Sequence, residues 1–130
     1  MKLKNLLLLV VLMSLCSSSF AQTKKIQGNL VHTVFFWLNN PDNVDERKTF
    51  EKGVKELLEQ CKFITSAHLG TPANTAKREV VDASYTYCVV ITFESKEAHD
   101  KYQIDPLHKK FIEENKNLWR KVLVYDSKQL

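Results

Sequence analysis

The sequence lacks several of the patterns that indicate a particular function. Its lysines and arginines form no cluster, its histidines show no metal-ligand spacing, and it contains no internal repeat. The one long apolar run, residues 6–15, is too short to span a membrane comfortably. We therefore expect no nucleic-acid partner, no bound metal, no cofactor, and no membrane span once the N-terminal segment is removed.

The first 21 residues have the layout of a secretory signal peptide. Two lysines precede the apolar run, and Ser19 and Ala21 supply the small residues at positions −3 and −1 of a cleavage site. Lipidation at Cys16 is the less favoured alternative, because Leu15 stands where a small residue is expected. We expect an exported protein, periplasmic or extracellular, that is cleaved after Ala21.

Cleavage leaves a polar leader at residues 22–29 and one domain at residues 30–126. Because Lys2 and Lys4 leave with the signal segment, 17 basic side chains remain against 15 acidic ones. A chain of this length supports a single modest core. The even balance of charge is a further argument against nucleic-acid binding.

Residues 30–38 and 85–93 are predicted strands, because β-branched and aromatic residues alternate along them. Both faces of each strand are apolar. In the second strand, for example, Val89, Val90 and Ile91 follow one another directly. A strand without a wet face is normally covered on both sides. Weaker strands are predicted at residues 63–70 and 121–126.

Capping residues mark where the helices begin. Asn43 is the N-cap of a helix that runs to about residue 60, and Ser95 is the N-cap of a helix over residues 96–103. Asp105 and Pro106 then begin a further helix at once, as N-cap and first helical residue.

The order β-α-β-β-α-β, with the second helix broken, predicts an α+β fold. We expect a ferredoxin-like antiparallel sheet with helices on one face. The other face would be bare although its residues are apolar. A second copy packed sheet to sheet would cover it, so we expect a homodimer.

The junction of the last two helices holds a tyrosine and a histidine that are candidates for acid/base chemistry. His108 is the third helical residue, where the helix dipole and the unpaired backbone N–H groups favour a neutral imidazole. Tyr102 ends the preceding helix and comes near His108 if the turn is tight. Such a pair suits proton transfer, although spacing alone favours packing roles for both residues.

Over residues 30–126 the chain resembles the stress-responsive A/B barrel (Dabb) domain family. The resemblance rests on His32 opening the strand HTVFFWL, the segment REVVDASYTYCVVITFES, the YxxxPxH spacing from Tyr102 to His108, and the final VLVYD. It implies a dimeric α+β barrel with a pocket between helices and sheet for a small, largely apolar molecule.

The resemblance extends to the plant polyketide cyclase of this family that forms olivetolic acid. It implies that Tyr102 and His108 are catalytic, with His108 removing a proton beside a carbonyl and Tyr102 binding the developing oxyanion. It implies that His32 and Tyr87 bind substrate, although Tyr87 stands where the cyclase has a second pocket histidine.

Two other functions remain open on this fold. One is a non-catalytic stress-response or binding protein that uses the same cavity. The other is a haem-linked monooxygenase, which Trp37 and Trp119 permit without an axial-ligand context that favours it. The long connection at residues 70–83 is an irregular edge or, as the less favoured alternative, a lid.

We do not expect the two remaining cysteines, Cys61 and Cys88, to form a disulfide. If Tyr87 faces the helices, as the resemblance implies, strand alternation turns Cys88 to the opposite face of the sheet. Cys61 ends the apolar stripe of the first helix and packs on the helix side. The sheet would then hold the two sulfurs too far apart to be bridged.

Overall fold

The computed structural model describes residues 24–73 and 75–130, and the predicted signal peptide lies outside them. Within these residues the chain forms four strands and three helices in the order β-α-β-β-α-α-β. They are β1 (Leu30–Leu38), α1 (Val44–Gln60), β2 (Ser66–Gly70), β3 (Tyr87–Phe93), α2 (Lys96–Ile104), α3 (Pro106–Asn115) and β4 (Trp119–Lys128).

The strands form one antiparallel sheet in the order β2-β3-β1-β4. β1 therefore lies inside the sheet, hydrogen-bonded to β3 on one side and to β4 on the other. The helices pack against one face, through alternate residues of β1 and β3. The predicted ferredoxin-like α+β fold is confirmed.

Strand boundaries differ from the sequence prediction in two ways. β2 and β3 begin later than predicted, at Ser66 and Tyr87, and β4 extends beyond both ends of residues 121–126. β4 pairs with β1 along the whole length of β1. Backbone pairing thus sets the length of this edge strand, whose C-terminal end, Ser127 and Lys128, carries little strand signal of its own.

The three predicted N-caps are present. The side chains of Asn43, Ser95 and Asp105 each accept a hydrogen bond from a backbone N–H of the first helical turn. Asp105 also ends α2, because its backbone N–H donates to the carbonyl of Tyr102. One residue therefore stops one helix and starts the next, which keeps the turn between α2 and α3 tight.

No helix among the described residues has the length and apolarity of a membrane span. The longest, α1, has 17 residues and buries only one stripe, formed by Phe50, Val54 and Leu57. α3 ends at Asn115, and Leu118, which lies outside the helix, still packs against the core.

The core lies between the helices and one face of the sheet. Phe50 of α1 is at its centre, fully buried. The rings of Phe36, Tyr87, Phe111 and Trp119 surround it at centroid distances between 4.8 and 6.2 Å. Large aromatic side chains bury the most area per residue, so this cluster contributes much of the hydrophobic stabilisation.

The opposite face of the sheet is apolar, and no helix of the described chain covers it. Phe35 and Val90 on this face are only partly buried, and Tyr125 of β4 is 57% exposed. Phe35 packs edge-on against Tyr85 and Tyr125 at centroid distances of 4.9 and 6.3 Å. We call this surface the bare face.

Cys61 and Cys88 lie on different sides of the sheet. Cys61 belongs to the core on the helix side, whereas Cys88 is half-buried and pairs with Phe35 across β1 and β3. Tyr87, the neighbour of Cys88, faces the helices, where its ring stacks on Phe50. Both thiols are free, and burial raises the pKa of each above its ordinary value.

We expect two free thiols per chain when a chain beginning at Gln22 is unfolded without reductant and titrated with a thiol reagent. In the folded protein both should react slowly, because a buried thiol with a raised pKa presents little thiolate. An intrachain bridge detected by mass spectrometry would contradict the strand facing described above.

Candidate functional site

A cavity of about 220 Å³ lies between the helices and the β1–β4 side of the sheet. Most of its wall is apolar, with residues from β1, α1, β3, α3 and β4. The polar residues that line it come from three elements: His32 from β1, Tyr102 and Gln103 from α2, and His108 from α3. The structure therefore brings together three of the four residues that the sequence analysis assigned to a site.

The cavity exists because the helices do not reach over β4. Val122 and Val124 stand opposite Phe36 and Val34 of β1 and so face the helix side, yet they are 37% and 44% exposed. The space above them is the cavity. Within the described chain, the connection between β2 and β3 supplies none of the lining residues, so it is not a lid in this structure.

His108 presents an unprotonated nitrogen. Its Nδ1 lies 3.3 Å from the carbonyl oxygen of Gln103, which can only accept, so Nδ1 carries the proton and donates. Nε2 keeps its lone pair in the neutral imidazole. Burial lowers the pKa of His108 below its ordinary value of 6.5, and the hydrogen bond to Gln103 opposes this shift only in part.

Tyr102 is buried, and its ring packs on that of His108. The ring centroids are 4.4 Å apart at an angle of 40°. The structure shows this ring contact and no hydrogen bond between the two side chains. Burial raises the pKa of the Tyr102 phenol well above its ordinary value, so the hydroxyl stays protonated and can donate.

His32 reaches the cavity from the centre of the sheet. Its Nδ1 lies 2.6 Å from Oδ1 of Asp126, the residue directly opposite it on β4. The ring also stands edge-on to Tyr102 at 6.0 Å between centroids. Burial lowers the pKa of His32, and the hydrogen bond and charge of Asp126 oppose that shift.

His99 and Asp126 are parts of this region that the sequence analysis missed. The ring of His99 lies 5.3 Å from that of His32, and one ligand atom from each of His32, His99 and Asp126 lies within 4.8 Å of the others. His99 precedes Tyr102 by three residues on α2, a spacing that places both on one helix face and could have indicated it. The local sequence gives no such indication for Asp126, because its contact with His32 depends on the register between β1 and β4.

Tyr87, expected to bind substrate, does not line the cavity. Its ring stacks flat on Phe50 at 4.8 Å, and its hydroxyl donates to a carboxylate oxygen of Glu51 at 2.6 Å. Arg47 lies over the ring, 4.9 Å from its centroid. The side chain faces the helices as expected, but it lies under α1 and the aromatic core separates it from the cavity.

Solved structures with this fold come from plants and bacteria. A protein of Arabidopsis thaliana is 26% identical, and the match covers 78% of this chain and 95% of that one at a TM-score of 0.64. A Dabb-family protein with a ferredoxin-like fold from Mesorhizobium loti is 24% identical, with 80% and 99% covered and a TM-score of 0.65. A hydroxynitrile lyase of Passiflora edulis is 16% identical, with 79% and 94% covered and a TM-score of 0.67.

At 24% and 16% identity, the last two likenesses show the fold alone. A comparison with curated protein sequences found no match. The sequence pattern of the stress-responsive A/B barrel domain, in contrast, matches residues 30–129, most of the chain. The chain therefore belongs to the stress-responsive A/B barrel domain family.

Proposed function

We propose that this protein is an exported homodimer that binds a small, largely apolar carbonyl compound and removes a proton from the carbon beside the carbonyl. The observation that carries the proposal is the convergence of His32, Tyr102 and His108 on one otherwise apolar cavity. Concave apolar sites with a few converging polar groups are where proteins bind small molecules. The signal-peptide layout of residues 1–21 supports export.

His108 is the proton acceptor in this proposal. Its proton sits on Nδ1, held by the Gln103 carbonyl, so Nε2 is the basic atom. The lowered pKa keeps the imidazole neutral at pH 7, the form in which it can accept a proton. The C–H bond of the substrate breaks, its electron pair moves into the enolate, and the proton is transferred to Nε2.

Tyr102 is the hydrogen-bond donor to the enolate oxygen. A phenol that stays protonated can stabilise an oxyanion without accepting the proton itself, which keeps the roles of acid and base on separate residues. His32 orients the ligand from the far wall, with its own position fixed by Asp126. Apolar residues from five elements supply the binding surface.

A binding protein without turnover is the second candidate. The ring contact between Tyr102 and His108 favours it, because packed aromatic rings are a sufficient reason for both residues to be where they are. Both candidates use the same cavity and the same class of ligand. They differ in whether a bound C–H acid loses a proton.

Deuterium exchange separates the two candidates without knowledge of the natural substrate. The protein is incubated in D2O with a panel of small apolar ketones, 1,3-diketones and thioesters, and deuterium at the carbon beside the carbonyl is followed by NMR. Exchange above the buffer rate supports the catalytic proposal. Ligand binding without exchange supports the second candidate. If the protein shows neither binding nor exchange, both candidates are contradicted.

We expect His108→Gln to reduce the exchange rate by about 10²–10⁴-fold, the usual contribution of a general base. Tyr102→Phe should cost about 10²–10³-fold, as for loss of an oxyanion donor. His68→Asn is the matched control, since His68 is an exposed histidine of β2 outside the cavity. Exchange that survives His108→Gln would show that another group takes the proton.

The exchange rate should also depend on pH in a defined direction. Because the pKa of His108 is lowered from 6.5, the base is fully available at pH 7 and is lost as the pH falls below 6.5 through the lowered value. His32, His99 and Asp105 are the other charged or titratable neighbours that influence it. We expect kcat/KM to be flat near pH 7 and to fall on the acid side, and a fall that begins above pH 7 would contradict this assignment.

The proposal of a homodimer is supported by the bare face. An apolar sheet surface carrying Phe35, Val90 and Tyr125 is the kind of contiguous patch that marks a protein–protein interface. Solved structures of the same fold from Thermobifida fusca and Bacteroides fragilis, 14% and 17% identical, are dimeric. A symmetric pair is the commonest closed assembly that covers one surface on each copy.

Light scattering should therefore give twice the chain mass at micromolar concentration. Val90→Glu places a charge on the bare face and should shift the protein to monomer, because that charge would be buried unpaired in the interface. Val44→Glu makes the same change at a 61% exposed position at the start of α1 and should leave the mass unchanged. A monomeric wild-type protein would contradict the proposal.

A further inference from the structure

We propose that His32, His99 and Asp126 bind one divalent transition-metal ion of the Fe²⁺, Co²⁺, Ni²⁺ and Zn²⁺ class at the rim of the cavity. One ring nitrogen of each histidine and one carboxylate oxygen of Asp126 lie within 4.8 Å of one another. The three residues come from β1, α2 and β4. His32 is buried, His99 is half-buried and Asp126 is exposed. The cluster therefore opens toward solvent.

The distances are close to those of a bound ion. Ligand atoms on one metal at bond lengths of about 2.0–2.2 Å stand about 3.0–3.5 Å apart. His32 and Asp126 are already at 2.6 Å, so they need to separate by less than an ångström. From the 4.8 Å limit His99 must approach by up to about 1.3–1.8 Å, which a side chain near the start of a short surface helix can do. The fixed member is His32, on the central strand.

The short contact between His32 and Asp126 marks where the ion would enter. When the imidazole is neutral, Nδ1 of His32 donates its proton to Oδ1 of the Asp126 carboxylate. A metal ion takes the place of that proton between the same two atoms, and the proton moves to Nε2 of the imidazole. The carboxylate then ligates with the charge it already has, and the imidazole remains neutral, which is the form that ligates.

His99 is held in the tautomer that a metal requires. Its Nδ1 lies 3.4 Å from Oδ1 of Asp100, a long contact in which the ring N–H faces a carboxylate. Metal-ligating histidines characteristically direct their second nitrogen to such an outer carboxylate. Nε2 then carries the lone pair, which now accepts from the side-chain amide of exposed Gln103 at 3.0 Å. A surface glutamine is easily displaced.

The donor set selects the class of metal. Two imidazoles and one carboxylate suit Fe²⁺, Co²⁺, Ni²⁺ and Zn²⁺, whereas Mg²⁺ and Ca²⁺ prefer sites made of oxygen atoms. Three protein ligands leave coordination positions open, and because His32 also lines the cavity, those positions adjoin it. This inference goes beyond the proposed proton transfer, in which His99 has no role and Asp126 only positions His32.

The test is metal binding to the purified protein, prepared without a histidine tag, treated with chelator and dialysed. Zn²⁺ is titrated by calorimetry, and Co²⁺ by its visible d–d absorption, in the absence of any organic ligand. We expect one ion per chain at low-micromolar affinity or tighter. His99→Leu and Asp126→Asn should each weaken binding by at least about tenfold, and His68→Asn, which removes an exposed histidine elsewhere, should not change it.

NMR on the wild-type protein removes dependence on whether the variants fold. Addition of Zn²⁺ should shift the imidazole nitrogen resonances of His32 and His99 and leave those of His68 in place. Absence of stoichiometric binding, binding that survives His99→Leu, or shifts confined to other histidines would each overturn the proposal. Because no substrate is present, failure here leaves the deuterium-exchange result untouched, and failure of exchange leaves the metal result untouched.

Discussion

The register between β1 and β4 is the constraint on which the site depends. Pairing of the two strands places His32 directly opposite Asp126, and Val34 and Phe36 opposite the two valines that floor the cavity. Because side chains alternate along a strand, a shift of one residue in β4 would turn the side chains of Asp126 and the two valines to the bare face. Neither the cavity floor nor the polar pair at its rim would survive such a shift. Nothing in the local sequence of β4 fixes this register; the pairing with β1 does.

The second structural condition is local. Asp105 ends α2 with its backbone and begins α3 with its side chain, so the last turn of one helix and the first turn of the next are held together. Tyr102 and His108 lie on either side of that cap and meet ring to ring. The positions of these two side chains are therefore fixed by a few consecutive residues and not by contacts between distant segments. This is why the proximity of the pair could be predicted from local sequence, whereas the place of His32 across the cavity was implied only by the family resemblance.

The same distinction explains what the sequence predicts and what it does not. N-caps, the broken helix and the two unbroken apolar strands are local signals, and all of them appear in the structure. The ends of β4, the neighbour of His32 and the position of Tyr87 depend on contacts between distant segments. Tyr87 illustrates the limit: the family resemblance correctly implies that it faces the helices, but which part of the helix layer it meets depends on where α1 crosses the sheet. Phe50 meets it there, so it became a core residue instead of a cavity residue.

Burial is the largest influence on the pKa of both catalytic candidates, and it keeps both side chains neutral. A dry environment disfavours ions, so it lowers the pKa of the imidazole and raises that of the phenol. At neutral pH both side chains are therefore uncharged, one as an acceptor and the other as a donor. Neither places an unpaired charge in the apolar wall, which would be strongly destabilising. The carboxylate that contacts His32, Asp126, stays at the exposed rim of the cavity, where water as well as His32 can solvate it. Tyr102 is thus buried, His108 half-buried and Asp126 exposed, and at that rim a metal ion would meet a compensating negative charge.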